Sequence, residues 1–449
     1  MDIWTIVLVA IFVVYLMLQV SYIVTSLVSK KASILSANEQ KISVLIPAYN
    51  EELVLLQCLE SLKMVSYKNK EIIFINDGST DNTMTVLQNL LELTEVDKAL
   101  SDITSPSTLK RLLTSDKYPN IYVIDQVNGG KSNALNSGIS FATGEIIITL
   151  DADSILENDS LSWINEAFSD EKVVAAGGMV HVGQLINKRG PIIYKRKMLL
   201  RYQLSGYLSS FYVRKVTQSK FNVLGVVSGA FGAFRRTVLL EIGGYKKTLG
   251  EDMEITFRLQ KYINERKLGE KLTFIPEAVC YTEVPESFSS LLHQRVRWQK
   301  GFVDCINIHK RNFFTDFSKK FSFFLLFESI LLSIVGTSAI LMLPIVLVMG
   351  NITPLMILLI ASTWSSEFIL RLVAVKKAGQ YGYAFTMKCW IKIVLFTVWE
   401  SLTFRLLDTF FFVYGTILYF VGSRNNWDKL KRSGSVIYQE LDTVKKALA

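Results

Sequence analysis

Residues 144–154 read GEIIITLDADS. The run Ile146–Leu150 is apolar or β-branched, as a buried strand requires, and two aspartates follow at once. Residues two apart on an extended chain face the same way, so Asp151 and Asp153 present two carboxylates together at a strand end. Such a pair can hold a hard divalent cation, which can in turn bridge the phosphates of a nucleotide diphosphate. Taken alone, the triplet also reads as a surface turn, so its context decides.

Upstream, Lys41–Pro47, Glu71–Asn76 and Ile121–Asp125 are further short strand-like runs. Helical patterns lie between them, at Glu51–Leu62 and Asp81–Leu93. Alternating strands and helices predict an α/β domain with a mostly parallel sheet and ligands at the carboxyl ends of its strands. The residues at those ends suit that reading. Asn76-Asp77-Gly78-Ser79 follows one strand; it is a turn sequence, and its aspartate can also accept a hydrogen bond from a base or ribose. Pro47, Tyr49 and Glu51 leave the first strand in the same layer. Gly129-Gly130-Lys131 precedes a helix and offers a lysine, either to solvent or to a base and phosphates. The polar stretch Leu93–Asn120 interrupts the rhythm and reads as a surface insertion.

Downstream, Glu251-Asp252 opens a predicted helix near Met253. An acid there can cap the helix, or it can act as a general base toward an acceptor hydroxyl. In Gln294-Arg295-Val296-Arg297-Trp298, residues Gln294, Arg297 and Trp298 share one helix face by their spacing. Arginine offers bidentate donors to phosphate, and the indole offers a plate for a sugar ring. The same composition also suits a helix lying at membrane headgroup level.

The chain has 449 residues, 50% hydrophobic and 20% charged, with a formal net charge of +9. Soluble and membrane segments in one chain give this mixture. Trp4–Val28 is long enough to span a bilayer, and Lys30 and Lys31 after it hold the next segment in the cytoplasm. Phe321–Met349 and Pro354–Val375 are two further spans, joined by the uncharged Gly350–Thr353 and followed by Lys376 and Lys377. Trp390–Val421 carries Lys392, Glu400, Arg405 and Asp408, costly in lipid. It reads either as one span preceded by an interfacial helix or as a re-entrant segment. The basic tail, with Arg424, Lys429, Lys431 and Arg432, favours the option that does not cross. The expected organisation is a membrane helix over 1–31, a cytoplasmic domain over 41–315, a membrane region over 321–423 and a basic cytoplasmic tail over 424–449. The four cysteines form no CxxC pair, which argues against a zinc site or a disulfide framework. No motif suggests a nucleic-acid partner.

In this order, the motifs resemble the processive inverting family-2 glycosyltransferases, which include the synthases of cellulose, chitin, hyaluronan and poly-N-acetylglucosamine. The resemblance runs from about Ser43 to Gly301. SVLIPAYNEE resembles the family's first strand and loop, INDGSTDNT its uridine-contacting motif, and NGGKSNALNSG its lysine-bearing segment. LDADS matches the metal motif, VSGAFGAFRR the segment at the acceptor end, LGEDMEITFRL the catalytic-base motif and QRVRWQKG the QxxRW signature. The resemblance implies a GT-A fold with flanking transmembrane helices and a UDP-sugar donor. It implies Mg²⁺ or Mn²⁺ held by Asp153 and Asp151, and inversion to a β-linkage with Asp252 as base. Pro47, Tyr49, Glu51, Asp77, Lys131, Asp151, Gln294 and Arg297 would bind the nucleotide sugar. Ser228, Gly229, Glu251 and Trp298 would bind a saccharide or glycolipid acceptor. The expected setting is a bacterial plasma membrane, multi-pass, with an export partner or an oligomer. Two other readings stay open: a transferase that adds a single sugar to a lipid or short glycan, and a catalytically silent export or receptor component.

Overall fold

A computed structural model describes residues 3–33, 38–96, 109–185, 197–348, 350, 353–382 and 387–422. The runs that read as strands become the centre of a ten-stranded sheet. Its strands are β1 (Ile42–Ala48), β2 (Lys70–Asp77), β3 (Leu93–Glu95), β4 (Leu109–Ser115), β5 (Ile121–Gln126), β6 (Ile146–Leu150), β7 (Ile155–Leu156), β8 (Val173–Val182), β9 (Phe231–Arg235) and β10 (Lys271–Thr282). They lie in the order β3-β4-β5-β2-β1-β6-β9-β8-β10-β7.

The central strands β5, β2, β1 and β6 pair in parallel. β9 runs antiparallel between β6 and β8, and β4 runs antiparallel to β5, so the sheet is mixed rather than mostly parallel. The central strands are buried on both faces, as continuous Val/Ile/Leu runs covered by helices must be. The covering helices include α2 (Leu55–Met64), α3 (Thr83–Leu91), α4 (Lys131–Phe141) and α5 (Ser160–Phe168), whereas the N-terminal helix α1 (Ile3–Val28) packs on the apolar helices. The Leu93–Asn120 stretch is not a simple insertion. Its two ends are β3 and β4, an antiparallel pair that extends the sheet edge; residues 97–108 lie outside the described residues.

After β8 the chain forms α6 (Met198–Ser209), a π-helical segment Ser210–Lys215, α7 (Val216–Lys220) and, after β9, α8 (Arg236–Glu241). The two site helices follow, α9 (Glu251–Arg266) and α10 (Phe288–His309). The apolar region begins with α11 (Lys319–Phe324), a second π-helical segment Leu325–Leu331, and α12 (Leu332–Val348). It ends with α13 (Pro354–Gln380) and α14 (Met387–Val421). Four stretches are long and apolar enough to cross a membrane: Val9–Val28, Lys319–Ile340, Pro354–Gln380 and Thr403–Val421. Trp390–Val421, read as one span preceded by an interfacial helix or as a re-entrant segment, lies in one continuous 35-residue helix whose Thr403–Val421 part is the span candidate. Among its charges, Glu400 takes an ion pair from Arg371 of α13. The basic tail expected over 424–449 lies outside the described residues.

Polar residues on the apolar helices find one another, as intramembrane polar groups do. Arg214 bonds to Glu328 (3.4 Å) and Glu367 (3.1 Å), and Tyr15 and Gln19 of α1 each donate to Glu367 at 3.4 Å. The C-terminal half of α14 lies along α10. Gln299 Nε2 donates to Thr416 Oγ1 (3.0 Å), Tyr419 donates to Asp304 Oδ1 (2.9 Å), and the Phe288 and Phe411 rings sit 6.2 Å apart.

Candidate active site

The carboxyl ends of β1, β2 and β6 lie side by side, and loops from each converge there. Asp77 ends β2 and is buried. Its Oδ1 accepts from Gly129 N (2.9 Å) and Gln126 Nε2 (2.7 Å), and its Oδ2 accepts from Gly130 N (2.8 Å). The sequence suggested an acceptor facing a nucleoside; here both oxygens hold the glycine loop that leads into α4. Gly78 allows this closeness. Its φ is +67°, and a Cβ there would lie 2.6 Å from Asn128 N, so a larger residue would be both strained and clashing. Pro47 lies within β1 and Tyr49 and Glu51 just beyond it; Glu51 N donates to Thr83 Oγ1 (2.8 Å), tying that loop to α3.

Asp77 thereby places Lys131, the first residue of α4. Lys131 Nζ donates to Asp151 Oδ1 at 2.6 Å and lies 3.6 Å from Glu251 Oε1. Burial works against its charge, but Asp151, Glu251 and Asp252 outweigh burial and hold the ammonium above its ordinary pKa. Burial, reinforced by Asp252, pushes the Glu251 carboxyl up, while Lys131 and Arg297 pull it down. Asp153 is also buried, and Thr282 Oγ1 donates to its Oδ1 at 3.2 Å.

Asp252 sits in the first turn of α9. Its Oδ2 accepts from Gly229 N (3.2 Å) and its Oδ1 from its neighbour Met253 N (2.9 Å). The loop before β9, with Ser228 and Gly229, thus faces the start of α9. From the other side α10 brings Gln294, Arg297 and Trp298. Gln294 is 7% exposed, and its Oε1 has no hydrogen-bond partner among the described residues. A buried polar group of this kind wants a ligand. Trp298 is 42% exposed, with the Arg295 guanidinium 4.9 Å from its ring centre.

These parts enclose a cleft of about 380 Å³, lined by Lys131, Asp151, Asp153, Ser228, Gly229, Glu251, Asp252, Gln294, Arg297 and Trp298 among others. Residues that motif reading treated separately therefore share one cavity. Pro47, Tyr49, Glu51 and Asp77 do not line it; they lie at the neighbouring strand ends. Motif reading missed Lys215, Phe211 and Thr282, which also line the cleft. Lys215 and Phe211 belong to a π-helical segment, which carries no sequence pattern of its own. Thr282 ends a strand whose pairing is not local.

Comparison with known proteins shows what the chain as a whole resembles. The family model described as Glycosyl transferase family 2 matches residues 43–243, and the one described as Glycosyl transferase family group 2 matches residues 146–366. The poly-beta-1,6-N-acetyl-D-glucosamine synthase of Staphylococcus aureus (strain COL) is 29% identical over 307 residues, which is 68% of this chain and 64% of that protein. The synthase of the same name from Staphylococcus epidermidis is 29% identical over 262 residues, 58% of this chain and 54% of the relative. The chain therefore matches less than two thirds of the length of these relatives. Among solved structures, a mannosyltransferase from Pyrobaculum calidifontis in complex with GDP-Man and Mn²⁺ aligns with a TM-score of 0.52. It covers 92% of this chain and 98% of its own at 16% identity, a likeness of fold alone. The chain has an α/β fold with a glycosyltransferase GT-A neighbour, and across residues 43–366 it is similar to the family-2 glycosyltransferases, resembling the poly-N-acetylglucosamine synthases.

Proposed function

We propose that this chain moves N-acetylglucosamine from a UDP-linked donor onto a growing β-linked polysaccharide. The observation that carries this reading is one cleft in which the Asp252 carboxylate faces the Lys131–Asp151 pair and the Gln294–Arg297–Trp298 face. The names of the relatives favour N-acetylglucosamine as the sugar and a saccharide as the acceptor.

Asp252 takes the proton of an acceptor hydroxyl. The freed oxygen attacks the anomeric carbon from the face opposite the diphosphate, and the carbon–oxygen bond to UDP breaks with inversion. Lys131, Arg297 and the Gln294 amide hold the departing diphosphate, and Trp298 receives the acceptor ring. Fixed donors aimed at developing charge are the strongest lever available to such a site. Asp151 and Asp153 suit a divalent cation of the Mg²⁺ or Mn²⁺ type. Such ions take one or two carboxylates and complete their shell with phosphate oxygens and water, and among the described residues no group of three or more His, Cys, Asp or Glu encloses an ion. When bound, the ion supplies charge stabilisation for the diphosphate.

We place the chain in a bacterial plasma membrane as a multi-pass protein with its sheet domain in the cytoplasm. Lys30, Lys31, Lys376 and Lys377 at the helix ends support this orientation. An export partner or a second copy would then carry or share the product. The test is product analysis after purified protein in nanodiscs is given Mg²⁺ or Mn²⁺ and a panel of radiolabelled UDP-sugars. Long polymer from UDP-N-acetylglucosamine supports the reading. Single additions overturn processivity, and no incorporation from any donor overturns the activity.

A further inference from the structure

Among the described residues, the cationic side chains that line the cleft are Lys131, Lys215, Arg295 and Arg297. Lys131 pairs with Asp151 and Glu251, and Lys215 Nζ donates to Val226 O at 2.8 Å. Arg297 is assigned to the diphosphate. Arg295 has no such use. Among the described residues its guanidinium makes no side-chain hydrogen bond and no ion pair, and its Nε is buried without a partner. Asp408 of α14 lies within electrostatic reach of it, but the two form no ion pair. A buried donor left unpaired is costly, and in a native structure such a group calls for a ligand or another explanation.

Two contacts fix where Arg295 stands. Its guanidinium carbon lies over the Trp298 ring, 4.9 Å from the ring centre, as residues one helical turn apart can. The next residues of α10 are pressed against α14. A Cβ on Gly415 would lie 2.7 Å from Gln299 Cβ and 3.5 Å from Val296 Cα. The guanidinium thus covers one face of the indole and leaves the other for a sugar ring. It stands beside the proposed acceptor sugar, not on it. Guanidinium carries five N–H donors and no acceptor, and stacking on a ring uses none of them. A saccharide offers oxygen acceptors on every unit, and an acetamido carbonyl is the strongest of these. The Asp408 charge disfavours a second anion at this spot, so a neutral sugar fits better than a phosphate.

We infer that Arg295 forms a second acceptor subsite. While Trp298 holds the sugar that reacts, the Arg295 guanidinium donates to oxygens of the next sugar along the chain, the acetamido carbonyl among them. This rests on the reading of the cleft as a site of transfer onto a polymer of N-acetylglucosamine. A subsite beyond the first makes two linked sugars a better ligand than one. It also holds a growing chain in place between additions.

The experiment compares wild type, Arg295→Met and Arg295→Lys in nanodiscs saturated with UDP. Calorimetry measures the binding of N-acetylglucosamine and of its β-1,6-linked disaccharide, the linkage named in the staphylococcal relatives. UDP affinity reports an intact site. Wild type is expected to bind the disaccharide at least about tenfold tighter than the monosaccharide, as a hydrogen bond from a charged donor allows. Arg295→Met keeps an unbranched side chain beside the indole. It should bind UDP and the monosaccharide as wild type does, lose the gain from the second sugar, and make shorter polymer from UDP-N-acetylglucosamine. Arg295→Lys should keep part of the gain, because an ammonium donates without the planar fork. Equal losses for both saccharides in Arg295→Met would reduce Arg295 to a support for Trp298 and overturn the inference. A gain retained in Arg295→Met, or no gain in wild type, overturns it too. Should Arg295→Met fail to bind UDP, Arg295→Lys decides by the same comparison, an undiminished gain overturning the inference. Wild-type protein that incorporates sugar from no donor overturns the underlying reading; wild-type activity without the disaccharide gain overturns only the second subsite.

Discussion

Gly250 and Gly301 meet backbone to backbone. A Cβ on Gly301 would lie 3.0 Å from Gly250 Cα and 3.0 Å from the Leu249 carbonyl oxygen. Gly250 caps α9 just before Glu251 and Asp252, and Gly301 lies one helical turn beyond Arg297 and Trp298 on α10. The absence of two side chains thus sets the distance between the proposed base and the residues assigned to diphosphate and acceptor.

That contact gives the first prediction. Gly301→Ala must push α9 from α10, because backbone atoms on both sides cannot yield cheaply. A small misplacement of reacting groups can lower a rate by about 100-fold. Gly301→Ala is expected to reduce incorporation by roughly 10- to 100-fold, and Gly301→Val to do more and to lower the melting temperature. Wild-type rates in Gly301→Ala would show that the helix spacing is slack.

Asp252→Asn keeps the shape of the side chain and removes its basicity. General-base catalysis contributes about 10²- to 10⁴-fold, so sugar transfer should fall by that order while UDP affinity stays at the wild-type value. Calorimetry with UDP separates the two. Transfer within a few-fold of wild type would assign the proton to another group.

Lys131 stands between carboxylates on both sides of the cleft. Lys131→Met leaves Asp151, Glu251 and Asp252 facing one another without it. Truncating one partner of a hydrogen-bonded charge pair commonly costs about 2–5 kcal/mol where the pair is buried, and Lys131 is partly exposed, so the lower end applies. The expected result is UDP binding weaker by at least about tenfold, measured by calorimetry. Unchanged UDP affinity would confine Lys131 to holding the fold.

Glu71 predicts a pH effect away from the site. Its carboxylate accepts from Ser43 Oγ (2.5 Å), Thr143 N (2.7 Å) and Thr143 Oγ1 (2.8 Å), with Lys41 at 3.5 Å. Burial alone would raise its pKa, but the Ser43 and Thr143 bonds and Lys41 outweigh burial and hold it below the ordinary range. A group with a depressed folded pKa adds stability above its unfolded value and loses it as pH falls through the folded one. Glu71→Gln should therefore be less stable at neutral pH by about 1–3 kcal/mol. The gap should close only as the pH falls below the ordinary carboxylate range, where the wild-type group takes up its proton. Thermal unfolding at both pH values reads this, and a gap independent of pH would contradict it.

The sheet centre was legible because β1, β2, β5 and β6 are short apolar runs bounded by turn residues. Their ends also carried the chemistry, so strand prediction and site prediction were the same step. The edge pair was not legible. In β4, Leu109-Lys110-Arg111-Leu112-Leu113 lacks a clean alternation, and its pairing with β3 spans a long polar stretch. Motif order brought Lys131, Asp151, Asp252 and Arg297 to one site. It could not show that the Asp77 carboxylate is engaged by the Gly129 and Gly130 amides, because that depends on a loop folding back through Gly78. Lys215 was hidden for a similar reason. Nothing in Ser210–Lys215 marks a widened helix, and its partner carbonyl is a backbone atom. The charges in α14 left open an interfacial helix before a span or a re-entrant segment, because sequence alone did not pair Glu400 with Arg371.

The packing of α14 along α10 bears on where this protein can be cut. Phe288, Gln299 and Asp304 on α10 are met by Phe411, Thr416 and Tyr419. A fragment ended near residue 315, where the hydrophilic part of the chain gives way to apolar helices, would leave one flank of the QxxRW helix bare. The sheet domain and the apolar helices thus share a packed seam along α10. The domain's active-site wall is finished by the last helix described, so a soluble excised domain should be recovered only with that flank covered or redesigned.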